Sequence, residues 1–204
     1  MKATIKTILA LLVWSVCCDG SDIERTAVKT PPEKVPAALD AFLMSYVSNG
    51  FTVKYSAKAS GSDSVLDGSF QVFDTNGGKV AEGVYRDGVW HGELLGFHSN
   101  GKLASRRLYQ AGRTEGTGVD WDEDGRMLRS MIFVDGKKDG YENYWEKDGS
   151  VSTRVLWRSG NPEWIEFYEG GTVKNKLSGD ETMIYLRQKA LEAAKSMRTV
   201  PRNH

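Results

Sequence analysis

With 204 residues, 40% of them hydrophobic and 10% aromatic, the chain can build the core of one ordinary domain with appendages. Its 27 basic and 27 acidic residues balance, so it lacks the cationic excess with which proteins displace counterions from nucleic acid. The only two cysteines are the neighbours Cys17 and Cys18, which excludes a disulfide framework.

The opening "MKATIKTILALLVWSVCCDG" carries Lys2 and Lys6, then an apolar run from Ile8 to Val16. This is the pattern of a secretory signal over residues 1–17, too short to span a bilayer as a helix. A cysteine that closes such a run resembles the lipobox of bacterial lipoproteins, where signal peptidase II cuts before a cysteine that receives lipid. The resemblance makes Cys18 the lipidation candidate, with Cys17 or plain secretion as alternatives. Ser15 and Cys17 stand where lipoboxes usually carry Leu and a small residue. It implies a location on the periplasmic side of the cell envelope, held to the membrane by lipid. Asp19 implies retention at the inner membrane.

Residues 18–35 then read as the lipid attachment and a flexible tether, polar and with a Pro31-Pro32 pair. Residues 36–67 read as a helix and leading strands. Leu39, Phe42, Leu43, Tyr46 and Val47 have i, i+3, i+4 spacing, Pro36 suits a first turn, and Asn49-Gly50 suits a C-terminal cap. "FTVKYSAKAS" alternates like a strand. Asn49-Gly50 and Gly61 also echo, at another offset, the repeat that follows.

Residues 68–175 are repetitive. Gly77, Gly101, Gly125 and Gly149 recur every 24 residues, as do Gly68, Gly92, Gly116 and Gly140, and again Gly88, Gly112, Gly136 and Gly160. Phe73, Phe97, Trp121 and Trp145 form an aromatic column. Tyr85, Tyr109, Phe133 and Trp157 form another, preceded by Val84, Leu108, Ile132 and Leu156. The stretch "DWDEDG", Asp120 to Gly125, matches the first half of a calcium loop. Met131 stands where that loop needs a bidentate Glu, however, and Asn76, Asn100 and Asp148 are the counterparts of Asp124. Asp124-Gly125 therefore predicts a tight primed hairpin turn. A shortened half-copy starts at Trp164.

Residues 176–204 read as a C-terminal helix and tail. Ser178 and Glu181 have capping-box spacing, and Met183, Leu186, Ala190, Ala193 and Met197 form an apolar stripe expected to pack on the last hairpin.

The combination in "GKLASRRLYQAGRTEG" and "GRMLRSMIFVDGKKDG" resembles the bacterial MORN-variant repeat. The resemblance covers about half the chain. It implies a mainly β fold: an elongated antiparallel β-meander of stacked hairpins, here flanked by an N-terminal and a C-terminal helix. Proteins of that family are commonly labelled as antitoxins or as lipoproteins. The implied role is a non-enzymatic protein-binding module, in one form an immunity protein that neutralises a toxin or effector. An envelope scaffold or spacer without a tight partner is the structural alternative.

Chemistry is sparse. No G-x-S-x-G, P-loop or H-E-x-x-H is present. His91 and His98 would have to carry any hydrolase chemistry, and no third ligand at suitable spacing makes them a metal site. We expect no catalytic residues, no metal and no cofactor. Aromatic residues that the repeat does not demand are the candidate partner-binding residues. Trp90 aligns with Thr114, Lys138 and Pro162; Trp164 replaces the leading glycine; Tyr141 and Tyr144 align mostly with polar or small residues. Exposed Trp and Tyr bury much area at interfaces with little loss of rotamer freedom.

Overall fold

The computed structural model describes residues 42–48, 50–60 and 63–198. Strands β1 (Phe42–Ser48), β2 (Phe51–Ser60), β3 (Asp63–Phe73) and β4 (Lys79–Arg86) are followed by the short β5 (Val89–Trp90) and by β6 (Gly92–Phe97). Then come β7 (Leu103–Gln110), β8 (Arg113–Trp121), β9 (Met127–Val134), β10 (Lys137–Trp145), β11 (Val151–Arg158), β12 (Asn161–Glu169) and β13 (Thr172–Ser178). Helix α1 (Asp180–Arg198) ends the described chain. The strands form one antiparallel sheet in chain order, with β5 a side pairing on β4. The protein is mainly β, as the repeat implies, with a helix at its C-terminal end.

The expected N-terminal helix is corrected in part. Its stretch Phe42–Ser48 is a strand, paired with β2 from Phe42↔Ala57 to Ser48↔Phe51. Gly50, read as a helix cap, turns the hairpin instead, at φ 79°. A glycine with positive φ serves either purpose, and pairing with β2 decides between them. Residues 36–41 of that helix, like the signal, Cys18 and the tether, lie outside the described residues.

Two kinds of turn alternate along the sheet. On one edge, Asp87-Gly88, Ala111-Gly112, Asp135-Gly136 and Ser159-Gly160 all have positive φ at both residues. These are the two-residue primed turns whose twist suits a hairpin. On the other edge, Asp74, His98, Asp122 and Glu146 each donate a backbone N–H to the carbonyl four residues on, and each accepts one from the glycine three residues on. Asp122 thus donates to Arg126 at 2.9 Å and accepts from Gly125 at 2.9 Å. "DWDEDG" is a hairpin turn, but not of the primed type. Gly125 alone has positive φ, at 88°, in a longer turn that closes on a left-handed residue.

The primed turns also tie successive hairpins together. The N–H groups of Gly88, Gly112, Gly136 and Gly160 donate to the carbonyls of Leu66, Trp90, Thr114 and Lys138 at 2.8–3.0 Å. Each bond reaches back one hairpin, so the 24-residue spacing is a physical stacking distance and not only a sequence pattern.

Opposed residues in an antiparallel pair share a face. The cross-strand register pairs Tyr55 with Phe70 and Phe70 with Gly83, then Leu94 with Arg107, and then runs from Gly118 through Met131, Glu142 and Val155 to Ile165, all on one face. This is the buried face. At its N-terminal end Val53, Tyr55, Ala57, Leu66, Phe70 and Tyr85 form the apolar core.

At the other end α1 packs on the same face, with Tyr185 edge-on to Phe167 at 5.2 Å. Thr182 is buried, and Tyr185 and Leu186 are half-buried. The predicted stripe is therefore rotated: Met183 is exposed, and so is Ala190. The capping box is not formed around Ser178, because Ser178 still belongs to β13, opposite Trp164. Gly179, at φ 58°, precedes the helix and its carbonyl accepts the Thr182 N–H. Among the described residues no helix is long and apolar enough to cross a membrane.

Candidate functional site

Trp90 and Tyr144 lie on the buried face. Trp90 stacks on Tyr85, its cross-strand partner, with ring centroids 3.8 Å apart and an interplanar angle of 27°. It also meets Phe70 edge-on at 5.4 Å. Gly83 makes room for it, since a Cβ there would come within 2.7 Å of the indole. Trp90 is thus half-buried and packs against the core. The sequence held a clue. Trp90 lies across a two-residue turn from the column residue Tyr85, and opposed aromatics in a hairpin pack on each other.

Tyr144 borders a row of charges. Glu142 is only 1% exposed and accepts from Lys138 Nζ at 2.8 Å to each oxygen and from Trp157 Nε1 at 2.8 Å. Arg129 bridges Asp120, at 2.6 Å, and Glu142, at 3.6 Å; Arg107 meets Asp120 at 2.6 Å. Burial works against the Arg129 charge, yet the Asp120 carboxylate beside it raises its basicity overall. Burial, and then the Glu142 charge, push the Tyr144 phenol up. Every buried charge here has an opposite partner, which a low-dielectric setting requires. The row is a structural ion ladder with its donors and acceptors already engaged.

Tyr141 and Trp164 project from the opposite face. They flank Leu156 in register and lie 6.0 Å apart, centroid to centroid. Tyr141 is 46% exposed and Trp164 half-buried. Arg154, two residues from Leu156 on the same face, sits 5.4 Å from the centroids of both Tyr141 and Tyr168. Its Nε donates to Asn143 at 2.9 Å. Lys176 lies 4.2 Å from the Trp164 ring and bonds Glu166 at 3.0 Å. Burial favours the neutral form of Glu166, but bonds from Lys176 and the Tyr168 hydroxyl outweigh it and hold the carboxyl below its usual range. Burial, then the bond to Glu166, raises the Tyr168 phenol.

This surface alternates aromatic faces with cations that are held in place, a composition suited to interface hot spots. Four of its members, Arg154, Glu166, Tyr168 and Lys176, were not singled out by sequence. Their signal is cross-strand register, which becomes readable only once the turns are counted correctly.

Among the described residues the histidines are His91 and His98, placed beside turns. His98 Nε2 shares a hydrogen bond with the Trp121 carbonyl at 2.9 Å, which ties one hairpin turn to the next. His91 is half-buried beside the Gly92 bulge, where its backbone N–H donates to Val84 O. Asp122 accepts the N–H groups of Asp124 and Arg126, and Arg126 pairs with both Asp122 and Asp124. Among the described residues no three His, Cys, Asp or Glu side chains cluster as a metal site would require.

No family model and no curated protein sequence matches the chain. Among solved structures it is similar to part of an accessory secretory protein 1,2 and 3 structure from Streptococcus pneumoniae, at 15% identity and TM-score 0.33, over 92% of this chain and 30% of that one. It is similar to part of TarM at 14% identity and TM-score 0.27, over 61% and 22% of the two chains. A GtfA/B complex bound to UDP and GlcNAc gives 11% identity and TM-score 0.29, over 50% and 25%. The chain spans less than a third of the length of each of these, and likeness at this level transfers no function.

Proposed function

We propose that this chain is an exported, lipid-anchored binding protein whose MORN-like repeats recognise another protein, in its most specific form a toxin or effector that it neutralises. The observation that carries the reading is the Tyr141–Trp164–Tyr168 surface. Tyr141 is exposed, the repeat does not require these side chains in the core, and Arg154 and Lys176 lie against their rings. Folding alone gives little reason to hold cations over an exposed aromatic patch; a protein partner that buries both does. The anchor rests on Cys18 at the end of the apolar leader.

The test has two arms. Fatty-acid labelling of cells expressing the full chain should be abolished by Cys18→Ser; unlabelled wild type would remove the anchor. A photoreactive amino acid at position 141 should give one discrete heteromeric adduct, and the captured protein should be toxic when expressed without this chain. No adduct from position 141 or 164 would remove the binding surface. A captured protein without toxicity would remove only the immunity role.

A further inference from the structure

The open side of the sheet carries a second feature, distinct from the aromatic surface. Val84, Leu108 and Ile132 occupy one repeat column on the face opposite the core and are 38–44% exposed. The fourth member, Leu156, is buried, because Tyr141 and Trp164 stand on either side of it. The three open residues lie on β4, β7 and β9, every second strand of the sheet. At about 4.8 Å per strand they form an apolar ladder with a repeat of about 9.6 Å.

Helix α1 carries a matching pair of apolar side chains. Its inner side, Thr182, Tyr185 and Leu186, is taken up by the sheet it packs on. Its outer side presents Ile184 and Leu191, 63% and 57% exposed, with the exposed Arg187 and Gln188 on the turn between them. The step from Ile184 to Leu191 is two helical turns. Seven residues of helix rise about 10.5 Å, within an ångström or so of the ladder repeat. Charges agree as well. Exposed Glu93 lies opposite Leu108 on β6, the strand between those of Val84 and Leu108, so an acid stands beside the ladder where the helix offers the Arg187 cation between its two apolar residues. The chain cannot satisfy its own ladder, since α1 packs beside Phe167 on the other face, at the far end of the sheet.

We propose that α1 of a second copy lies across Val84, Leu108 and Ile132, with Arg187 against Glu93, so that the protein self-associates through its repeats. Three ladder positions and one helix make a small interface, so association in dilute solution is weak; the lipid anchor of the proposed function, on which this step rests, would confine the copies to one membrane and raise their effective concentration.

The test uses the full chain in its native membranes. A photoreactive residue at position 108 should give an adduct of twice the chain mass, and a second probe at position 191 should give the same species. Ile184→Asp with Leu191→Asp should reduce the position-108 adduct at least tenfold without lowering the melting temperature, as both residues are exposed. Glu93→Arg and Arg187→Glu should each weaken it, and the two together should restore it. Absence of the homodimer adduct from both probes, its persistence in the double-Asp variant, or a heteromeric adduct in its place would overturn the proposal.

Discussion

The two halves of the buried face fill equivalent positions in opposite ways. Around the first full repeat the row is aromatic, with Tyr55, Phe70, Tyr85 and Trp90 in mutual contact. Further along the sheet the column position of Phe70 is held by Glu142, and the face carries a chain of ion pairs from Arg107 through Asp120 and Arg129 to Glu142. The backbone is the same in both, with the same turns and the same N–H bonds from turn glycines to the hairpin before. A stacked meander thus constrains its turns tightly and its lateral rows loosely, so that Glu142 can stand between Met131 and Val155 provided cations reach it from its own strand and from the diagonal. Aromatic neighbours suit aromatic neighbours, and a carboxylate needs cations beside it.

The largest effect that can break this comparison is in the aromatic half. Trp90→Ala should cost roughly 3–5 kcal/mol in chemical denaturation, as a large core truncation does. A loss below about 1 kcal/mol would mean the stacked cluster is not a core. In the charged half, Glu142→Ala should cost about 3 kcal/mol, because it strands Lys138 and the Trp157 N–H. The paired replacement Glu142→Leu with Lys138→Met should recover the share of that loss due to Lys138, since an ion pair converted to apolar packing is often neutral or stabilising, and leave the share due to the Trp157 N–H. If the double variant is as unstable as the single, the ladder has a role that apolar residues cannot take over.

A smaller effect tests the shared turns. Gly125→Val has no steric neighbour within 4 Å, so its cost should be only that of a side chain at positive φ, about 1–2 kcal/mol. The smallest effect is electrostatic. Backbone N–H bonds, first that of Arg126, hold the Asp122 carboxyl below its usual range; bonds from Ser150 do the same to Asp148. A lowered folded pKa stabilises above the unfolded value, near pH 4, and that contribution is lost as pH falls through the folded value. Asp122→Asn should therefore show a shallower fall in melting temperature between about pH 4.5 and pH 2 than wild type. Parallel curves would remove the turn carboxylate from the acid response.

Much of this architecture was legible in the sequence, because glycine at positive φ is a local requirement that leaves a periodic mark. Gly88, Gly112, Gly136 and Gly160 could be read as turns directly. What the sequence hid was non-local. Phe42–Ser48 carries the spacing of a helical stripe, and pairing with β2 overrides it. Trp90 departs from its column, and departure alone does not tell an interface residue from one that fills the gap above a neighbouring glycine, here Gly83. Tyr141 and Trp164 depart in the same way and do reach the open face, but their grouping with Arg154 and Lys176 follows from cross-strand register. The rotation of α1 was hidden for the same reason: its start is set by where β13 stops pairing.

The central claim is that Tyr141 and Trp90, both aromatic departures from the repeat, do different work on opposite faces. The most direct measurement is melting and partner affinity on the same preparations of full-length Tyr141→Ala and Trp90→Ala, with the protein crosslinked from position 141 as the ligand. Tyr141→Ala should keep its stability within about 0.5 kcal/mol, as exposed substitutions do. It should also lose at least about tenfold in affinity, the size of an interface hot spot. Trp90→Ala should melt early and, below its transition, bind as wild type does. Unchanged affinity in Tyr141→Ala, or a loss of stability there as large as in Trp90→Ala, would contradict the account.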